Sequence, residues 1–485
     1  MKGLYFWFLT CLLFSSLFNQ GLYFDASFYP YHIIIQLLFM IFLVRIWLYK
    51  EHAITSYFIF LLIPLTYLIP LLFQPSSVAL TLQSFMRAST TINFFIMVVY
   101  VLTDNLKSQR VLPYLLHGIG LILSGHMILF DLGILTNGEF IMMGRYAGLL
   151  EYANTFAVVL ASLYLYGLIQ GQVAKTTHMK LVHAALLPLY MLSILKSQSR
   201  GVLLFLVIFY IVLLLMLEVK KQLRLVIVTI TSLLLAIVLF VLMGEFNSGL
   251  FIGLVSICAA LSSATGIYIT KFHFKGINIS RLVVPTVMIV ALAVIIFNLL
   301  QRGTLYTILD TVFDFDMAKL TGWHTFKERV AFIKDGLNIV RDAPLVGQGG
   351  RAWALNYEAV KSYDYHSLEV HNAYLDILIE TGLVGLTITL VLFGLLAKQL
   401  MGHKREKIMH VLPVLLILCH SVMDFNLSYG FVWFFMSFMV GGYLKGENEL
   451  LSLGARSDKW RLMINVILMT LAFGFSLLTL ILVNL

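Results

Sequence analysis

Apolar runs long enough to cross a bilayer recur along the whole chain, and they constrain the fold more than any other feature. They lie at 3–18, 30–49, 54–73, 84–103, 111–134, 151–171, 178–195, 201–218, 225–243, 248–270, 282–300, 372–397, 408–423, 427–444 and 462–483. In hydrocarbon a segment must satisfy its own backbone N–H and C=O groups, and a helix of about 20 residues does so. Strands of a membrane barrel are near ten residues long and alternate in polarity; these runs do neither. Of the 485 residues, 60% are hydrophobic and 12% charged, where a soluble domain carries about 25% charged residues. The chain therefore reads as an all-α polytopic membrane protein of about 12–15 transmembrane helices. The first run follows Lys2 and is not followed by a small-residue cleavage site, so it reads as an uncleaved helix. Cys11, Cys258 and Cys419 lie far apart inside apolar runs and read as small buried hydrophobes.

The cations orient the spans. With the N-terminus in the cytoplasm, 21 of the 33 Lys and Arg residues fall on cytoplasmic loops, among them Lys220, Lys221, Arg224, Lys404, Arg405 and Lys407. This is the positive-inside distribution, and it reads the net charge of +9 as attraction to anionic lipid and not to nucleic acid. Three segments follow: an N-terminal helix bundle over 1–300, an outer loop over 301–370, and C-terminal helices over 371–485. A membrane-impermeant thiol reagent added from outside should label a cysteine placed at position 319 and not one at position 404; the reverse pattern would overturn this topology. Four cations sit on short outer connections: Arg87, Arg145, Lys196 and Arg200. Each is either stabilised by a local partner at the interface or part of a cluster that binds an anion. The two readings weigh about equally for Arg87 and Lys196, and the second is favoured for Arg145 and Arg200.

The outer loop has soluble composition. Phe326, Val330, Ile333, Leu337 and Val340 recur at spacings of four and three, which predicts an amphipathic helix on or near the membrane surface. Pro344 ends it, and Gly347, Gly349 and Gly350 follow as a loop. Asp314-Phe-Asp316 has the spacing of a metal-binding Asp-x-Asp, but a solvated loop is the favoured reading. His371 stands where the loop becomes a helix, a position that favours a neutral imidazole able to accept a proton. Glu380 lies about 13 Å further down that helix at 1.5 Å per residue, where an acid must be paired or neutral. His420 and Asp424, four apart on one predicted helix, read as a local pair. His117, His126 and His183 read as core residues.

His371-Asn372 followed by Gly382-x-x-Gly385 resembles the signature of the O-antigen ligase and polymerase superfamily. Three further stretches are similar to that family's motifs. They are Asp342-Ala-Pro344-Leu-Val-Gly347-Gln-Gly349 with Arg329 fifteen residues before the proline, Ser199-Arg200-Gly201 opening a helix, and Arg145 with Asn154-Thr-Phe-Ala157. One position departs: the family's tryptophan four residues after Arg329 is Ile333 here. The resemblance implies a metal-independent, cofactor-free, inverting glycosyltransferase of the bacterial cytoplasmic membrane, working on its outer face. The donor would be a glycan on undecaprenyl diphosphate and the acceptor a sugar hydroxyl on a second glycan or a glycolipid. His371 would be the base; Arg145, Arg200 and Arg87 would hold the diphosphate; Asn372, Glu380, Arg329 and Asn154 would support them. Polymerisation of lipid-linked repeats is favoured slightly over ligation of a finished glycan to a surface glycolipid or polymer. A flippase for the same glycan is the rival from another class; it predicts internal repeats and paired broken helices, and no repeat is visible in the sequence. A non-catalytic scaffold is the other rival, and it predicts that His371 and Arg200 can be changed freely.

Overall fold

A computed structural model describes the chain except residues 1, 50–51, 104, 137–139, 244, 272–278, 305, 308–322, 402–407, 445–469, 471, 475 and 480–485, and except the side chains of 52–55 and 323–326. Asp314, Asp316 and most of the 462–483 run lie outside the described residues. Among the described residues the fold is all-α: 80% helix in 17 helices, with almost no sheet. Among the described residues nine helices are long and apolar enough to span a membrane, and four shorter apolar ones accompany them: Lys2–Leu17, Ser56–Leu72, Arg200–Met216 and Gly430–Gly441.

The surfaces of these helices confirm the solvent they are built for. In Val219–Leu242 the residues Leu225, Val228, Ser232, Ala236 and Leu239 turn inward, at spacings of three and four. The opposite face presents Ile230, Leu234, Val238 and Val241, all exposed. A helix facing water would be polar there; one apolar all round belongs in lipid.

The described residues form two compact units. The first comprises residues 1–113, 328–407 and 421–485. Its axis is Val78–Leu102, buried almost throughout its C-terminal half and enclosed by Lys2–Leu17, Asp25–Tyr49 and Gly430–Gly441. The Phe94 and Phe434 rings stack at 3.8 Å, and polar pairs such as Asn93 to Gln36 (2.7 Å) join helices where no water is available. The second unit comprises residues 114–327 and 408–420, organised around the buried helix Ala153–Val173. There His117 hydrogen-bonds the Tyr190 hydroxyl and His183, each at 2.9 Å. Both histidines are thus satisfied core residues, and His126 bonds the Tyr146 hydroxyl at 2.7 Å.

One expectation about helices needs correction. The 408–423 run ends as the helix Leu412–His420, so Asp424 lies in the turn beyond it and does not share a helical face with His420. The outer-loop helix is present as Trp323–Asp342, and the apolar stripe read from the sequence is distinct from the side that packs against the protein. Val330, Ile333 and Leu337 are exposed, while Phe332, Asp335, Gly336 and Ile339, half a turn away, are buried. The packed side escapes a hydropathy pattern because Asp335 sits in its centre. That carboxylate is fully buried, and its Oδ2 accepts from the Ser362 N–H (2.9 Å), the Ser362 hydroxyl (3.1 Å) and the Tyr365 hydroxyl (2.9 Å). An acid that ties down a neighbouring loop looks, in sequence, like a solvent-facing residue.

Candidate active site

The helix that follows the outer loop, Ala373–Met401, is broken at Gly382, whose φ of 67° and ψ of −173° only glycine adopts readily. An unbroken helix would bond the Leu383 N–H to the Ile379 carbonyl and the Val384 N–H to that of Glu380. The glycine-rich loop supplies substitutes for all four groups. The Ile379 carbonyl accepts from the Gln348 N–H (2.8 Å) and the Glu380 carbonyl from the Gly349 N–H (3.0 Å). In return the Leu383 N–H donates to the Pro344 carbonyl (2.9 Å) and the Val384 N–H to that of Leu345 (3.1 Å). Two motifs separated by some thirty residues, Asp342 to Gly349 and Gly382 to Gly385, are therefore one interlocked backbone structure. It fixes the start of the helix, and with it His371 and Asn372.

Asn372 caps that helix: its Oδ1 accepts from the N–H groups of Tyr374 (3.1 Å) and Leu375 (3.0 Å). Beside it His371 is held at φ +52°, a left-handed conformation uncommon for a residue with a side chain. Its ring stacks on Phe332 (5.5 Å, 22°) and meets Phe425 edge-on at 4.9 Å. Its Nδ1 is buried without a hydrogen bond, 3.6 Å from Oδ1 of the fully buried Asp424. The other Asp424 oxygen lies 3.5 Å from Arg329 Nη2, and Oδ1 accepts from the Phe425 N–H (2.9 Å). Motif spacing puts Arg329 and His371 in one set but does not bring Asp424 to them. Nor does it reveal Phe332, which provides an aromatic face against His371 one residue before Ile333.

A cavity of about 450 Å³ lies in the same unit. Asp25, Arg87, Arg351, Glu369, Asp376 and Glu380 are its ionisable lining. Arg87 is heavily engaged: Nη2 binds Asp25 Oδ1 (2.7 Å) and the Tyr23 carbonyl (2.7 Å), Nη1 binds the Leu22 carbonyl (3.1 Å), and the guanidinium covers the Phe28 ring at 4.4 Å. Arg351, in a left-handed turn after Gly349-Gly350, adds a second guanidinium 3.1 Å from Asp25 Oδ1. Glu380 accepts from the Arg351 backbone N–H and from Ser84 Oγ, so the acid at this depth is paired, as its position requires. Glu369 accepts from the Tyr23 hydroxyl at 2.7 Å. Burial pushes the Glu369 carboxyl above the usual carboxylate range, with the Tyr23 hydrogen bond and the His371, Arg351 and Arg87 charges opposing. Sequence reasoning does not single out Arg351, Asp25, Glu369 or Asp376. The one signal it offers is Asp376 and Glu380 one turn apart at the start of an otherwise apolar helix.

The second unit joins the remaining motif residues. Arg145 stands in a two-residue hairpin, Ile141–Met142 against Arg145–Tyr146. Its Nε donates to the Ser197 carbonyl (2.9 Å) and its Nη2 to Asn154 Oδ1 (2.6 Å). The same Asn154 oxygen accepts from Ser199 Oγ at 2.8 Å. Arg200 is the exposed first residue of Arg200–Met216, and a Cβ on Gly201 would stand 3.2 Å from His420 Nε2. Asn154 thus ties two helix starts, and the motifs that carry Arg145 and Arg200, into one cluster. Lys196 has a local partner, Asp131 at 2.8 Å.

Residues 246–390 match a protein-family model described as O-antigen ligase. The matched segment is similar to that family. It contains Arg329, His371, Asn372 and Glu380, and it supports the O-antigen ligase and polymerase superfamily to which the motifs point. No curated protein and no solved structure matches the chain. The apolar helices mark a multi-pass membrane protein, and the match to the O-antigen ligase model supports a membrane enzyme of polysaccharide biosynthesis.

Proposed function

We propose that this enzyme transfers a glycan from undecaprenyl diphosphate to an acceptor sugar hydroxyl on the outer face of the bacterial cytoplasmic membrane, polymerising lipid-linked repeat units. The observation that carries the reading is the arrangement at His371 inside the segment similar to the O-antigen ligase family. Nδ1 faces the buried Asp424 carboxylate, which favours the tautomer with a proton on Nδ1 and leaves Nε2 to act as a base. The acceptor O–H proton passes to Nε2 as the oxygen bonds the anomeric carbon. The bond from that carbon to the diphosphate breaks, and its electron pair leaves on the phosphate oxygen. Attack from the opposite side inverts the anomeric centre. As the imidazolium forms, its Nδ1–H closes on Asp424, and Arg329 holds that carboxylate in place.

Arg145 and Arg200 stabilise the departing diphosphate. A guanidinium presents its donors in a fork that matches two phosphate oxygens, so no divalent cation enters the reaction. Asn154 fixes the Arg145 fork.

Purified protein incubated with a lipid-linked oligosaccharide, with products sized on a gel, tests this reading. A ladder of lengths is expected, and it should survive a chelator. One block moved onto a different molecule would assign ligation instead, and rescue of a chelator-treated sample by magnesium or manganese would bring a metal into the reaction. In the same assay Arg145→Ala and Arg200→Ala should lose at least about 100-fold in turnover. Arg200→Lys should recover only part, because an ammonium is a point charge. Wild-type turnover in both alanine variants would remove these residues from the donor site.

A further inference from the structure

The cavity of about 450 Å³ in the first unit has no part in the chemistry described above. Its size is within the range of small-molecule pockets, roughly 300–1,000 Å³. It has no guanidinium to spare for a diphosphate: Arg87 and Arg351 are both bound to Asp25, and the other acidic groups on its wall are carboxyls. One of the acids is unpaired. Asp376 lines the cavity, and its carboxylate makes no hydrogen bond or ion pair with any described residue. It sits one helical turn before Glu380. Such an arrangement is unfavourable unless something else bonds it. The rest of the lining supplies hydroxyl partners from Ser84 and Tyr67 and the indole rings of Trp353 and Trp433. The cavity also reaches the neighbourhood of the base: Tyr23 on its wall is 6.0 Å from the Phe425 ring, which itself contacts His371.

Carboxyls that bond hydroxyls, aromatic faces and an absence of spare positive charge together describe a site for an uncharged saccharide. We infer that this cavity binds the acceptor glycan, with Asp376 as the positioning residue that bonds its hydroxyl groups. The assignment rests on the glycosyl-transfer reading, and it distinguishes the acceptor from the donor by charge. The donor's first sugar carries a diphosphate on its anomeric carbon, whereas the attacking end of an acceptor is neutral.

The test is a binding measurement that needs no turnover. Full-length protein in lipid nanodiscs is titrated with neutral disaccharides (cellobiose, lactose and diacetylchitobiose) and with glycosyl phosphates of the same sugars, and tryptophan fluorescence is followed. At least one neutral disaccharide should bind, and more tightly than its phosphate. Asp376→Asn should weaken that binding roughly 3- to 10-fold, the range for one lost hydrogen bond. Glu369→Gln provides a second variant should Asp376→Asn fail to fold. His371→Ala should bind as the wild type does, because the base is not in the cavity wall. Tighter binding of the phosphates would make this a donor site and overturn the inference. So would equal affinity in the wild type and in a folded carboxamide variant, or no binding by any neutral sugar. If sugars bind as expected while no lipid-linked glycan is turned over, the pocket stands and the transfer reading falls. Turnover without sugar binding would overturn the pocket and leave the transfer reading in place.

Discussion

His371→Ala should be folded and inserted in the membrane, and should turn over a lipid-linked glycan about 10²- to 10⁴-fold more slowly than the wild type, the usual contribution of a general base. His371→Asn is the sharper variant. Asparagine tolerates the left-handed backbone that position 371 adopts, so it removes the imidazole with little change in backbone strain. Its activity should be as low as that of the alanine variant. Asp424→Asn should retain the fold and lose a smaller factor, because it leaves the base but removes the charge that steadies the imidazolium. His366 bonds the Tyr357 hydroxyl at 2.7 Å in an exposed loop, and His366→Ala should keep most of the activity. A gel assay on all four proteins measures these differences. If His371→Asn forms product at the wild-type rate, the residue is only a turn-former held between Phe332 and Phe425.

Gly382→Ala should act at the level of folding. A Cβ at this glycine would overlap the Leu345 carbonyl. The backbone also lies in a region almost closed to other residues, at a cost of about 1–3 kcal/mol. Relief of the overlap requires the 344–349 loop to move, which would break the four backbone hydrogen bonds between the loop and the helix. Each buried group left unpaired costs about 1–3 kcal/mol. The sum is a substantial part of the stability of an ordinary protein, so little monodisperse protein should be recovered. Gly347→Ala, whose Cβ would meet the Glu380 carbonyl, should behave alike. Gly394→Ala is the control: it lies on the same helix, with nothing within 4 Å of its Cβ position. Size-exclusion profiles and thermal unfolding in detergent measure all three. A Gly382→Ala protein as stable as Gly394→Ala would show that the interlock bears little of the stability.

The class of fold and the positions of the chemistry-bearing motifs are legible along the chain alone. Hydropathy sums over twenty residues are local quantities, and a bilayer allows only one backbone answer to them, so the all-α character needs no knowledge of packing. Motif spacing is also local, and it brings out Arg145, Asn154, Arg200, Arg329 and His371. What a side chain touches is not local. Asp424 looks like the i+4 partner of His420 because a helical face is the only neighbourhood that spacing can describe. The chain leaves the helix after His420, and only tertiary packing brings Asp424 to His371 and Arg329. The buried side of Trp323–Asp342 is hidden for a related reason: its centre is an aspartate whose partners, Ser362 and Tyr365, lie 27 and 30 residues further on. The broken helix at Gly382 is the clearest instance. A glycine in an apolar run reads as a packing residue, and only the loop that lends its carbonyls and N–H groups makes the break tolerable in a low-dielectric interior. Arg351, Asp376 and Glu369 meet around one cavity because that loop, the Gly382 break and the helix Val78–Leu102 converge in the first unit, and no pattern along the chain encodes that convergence.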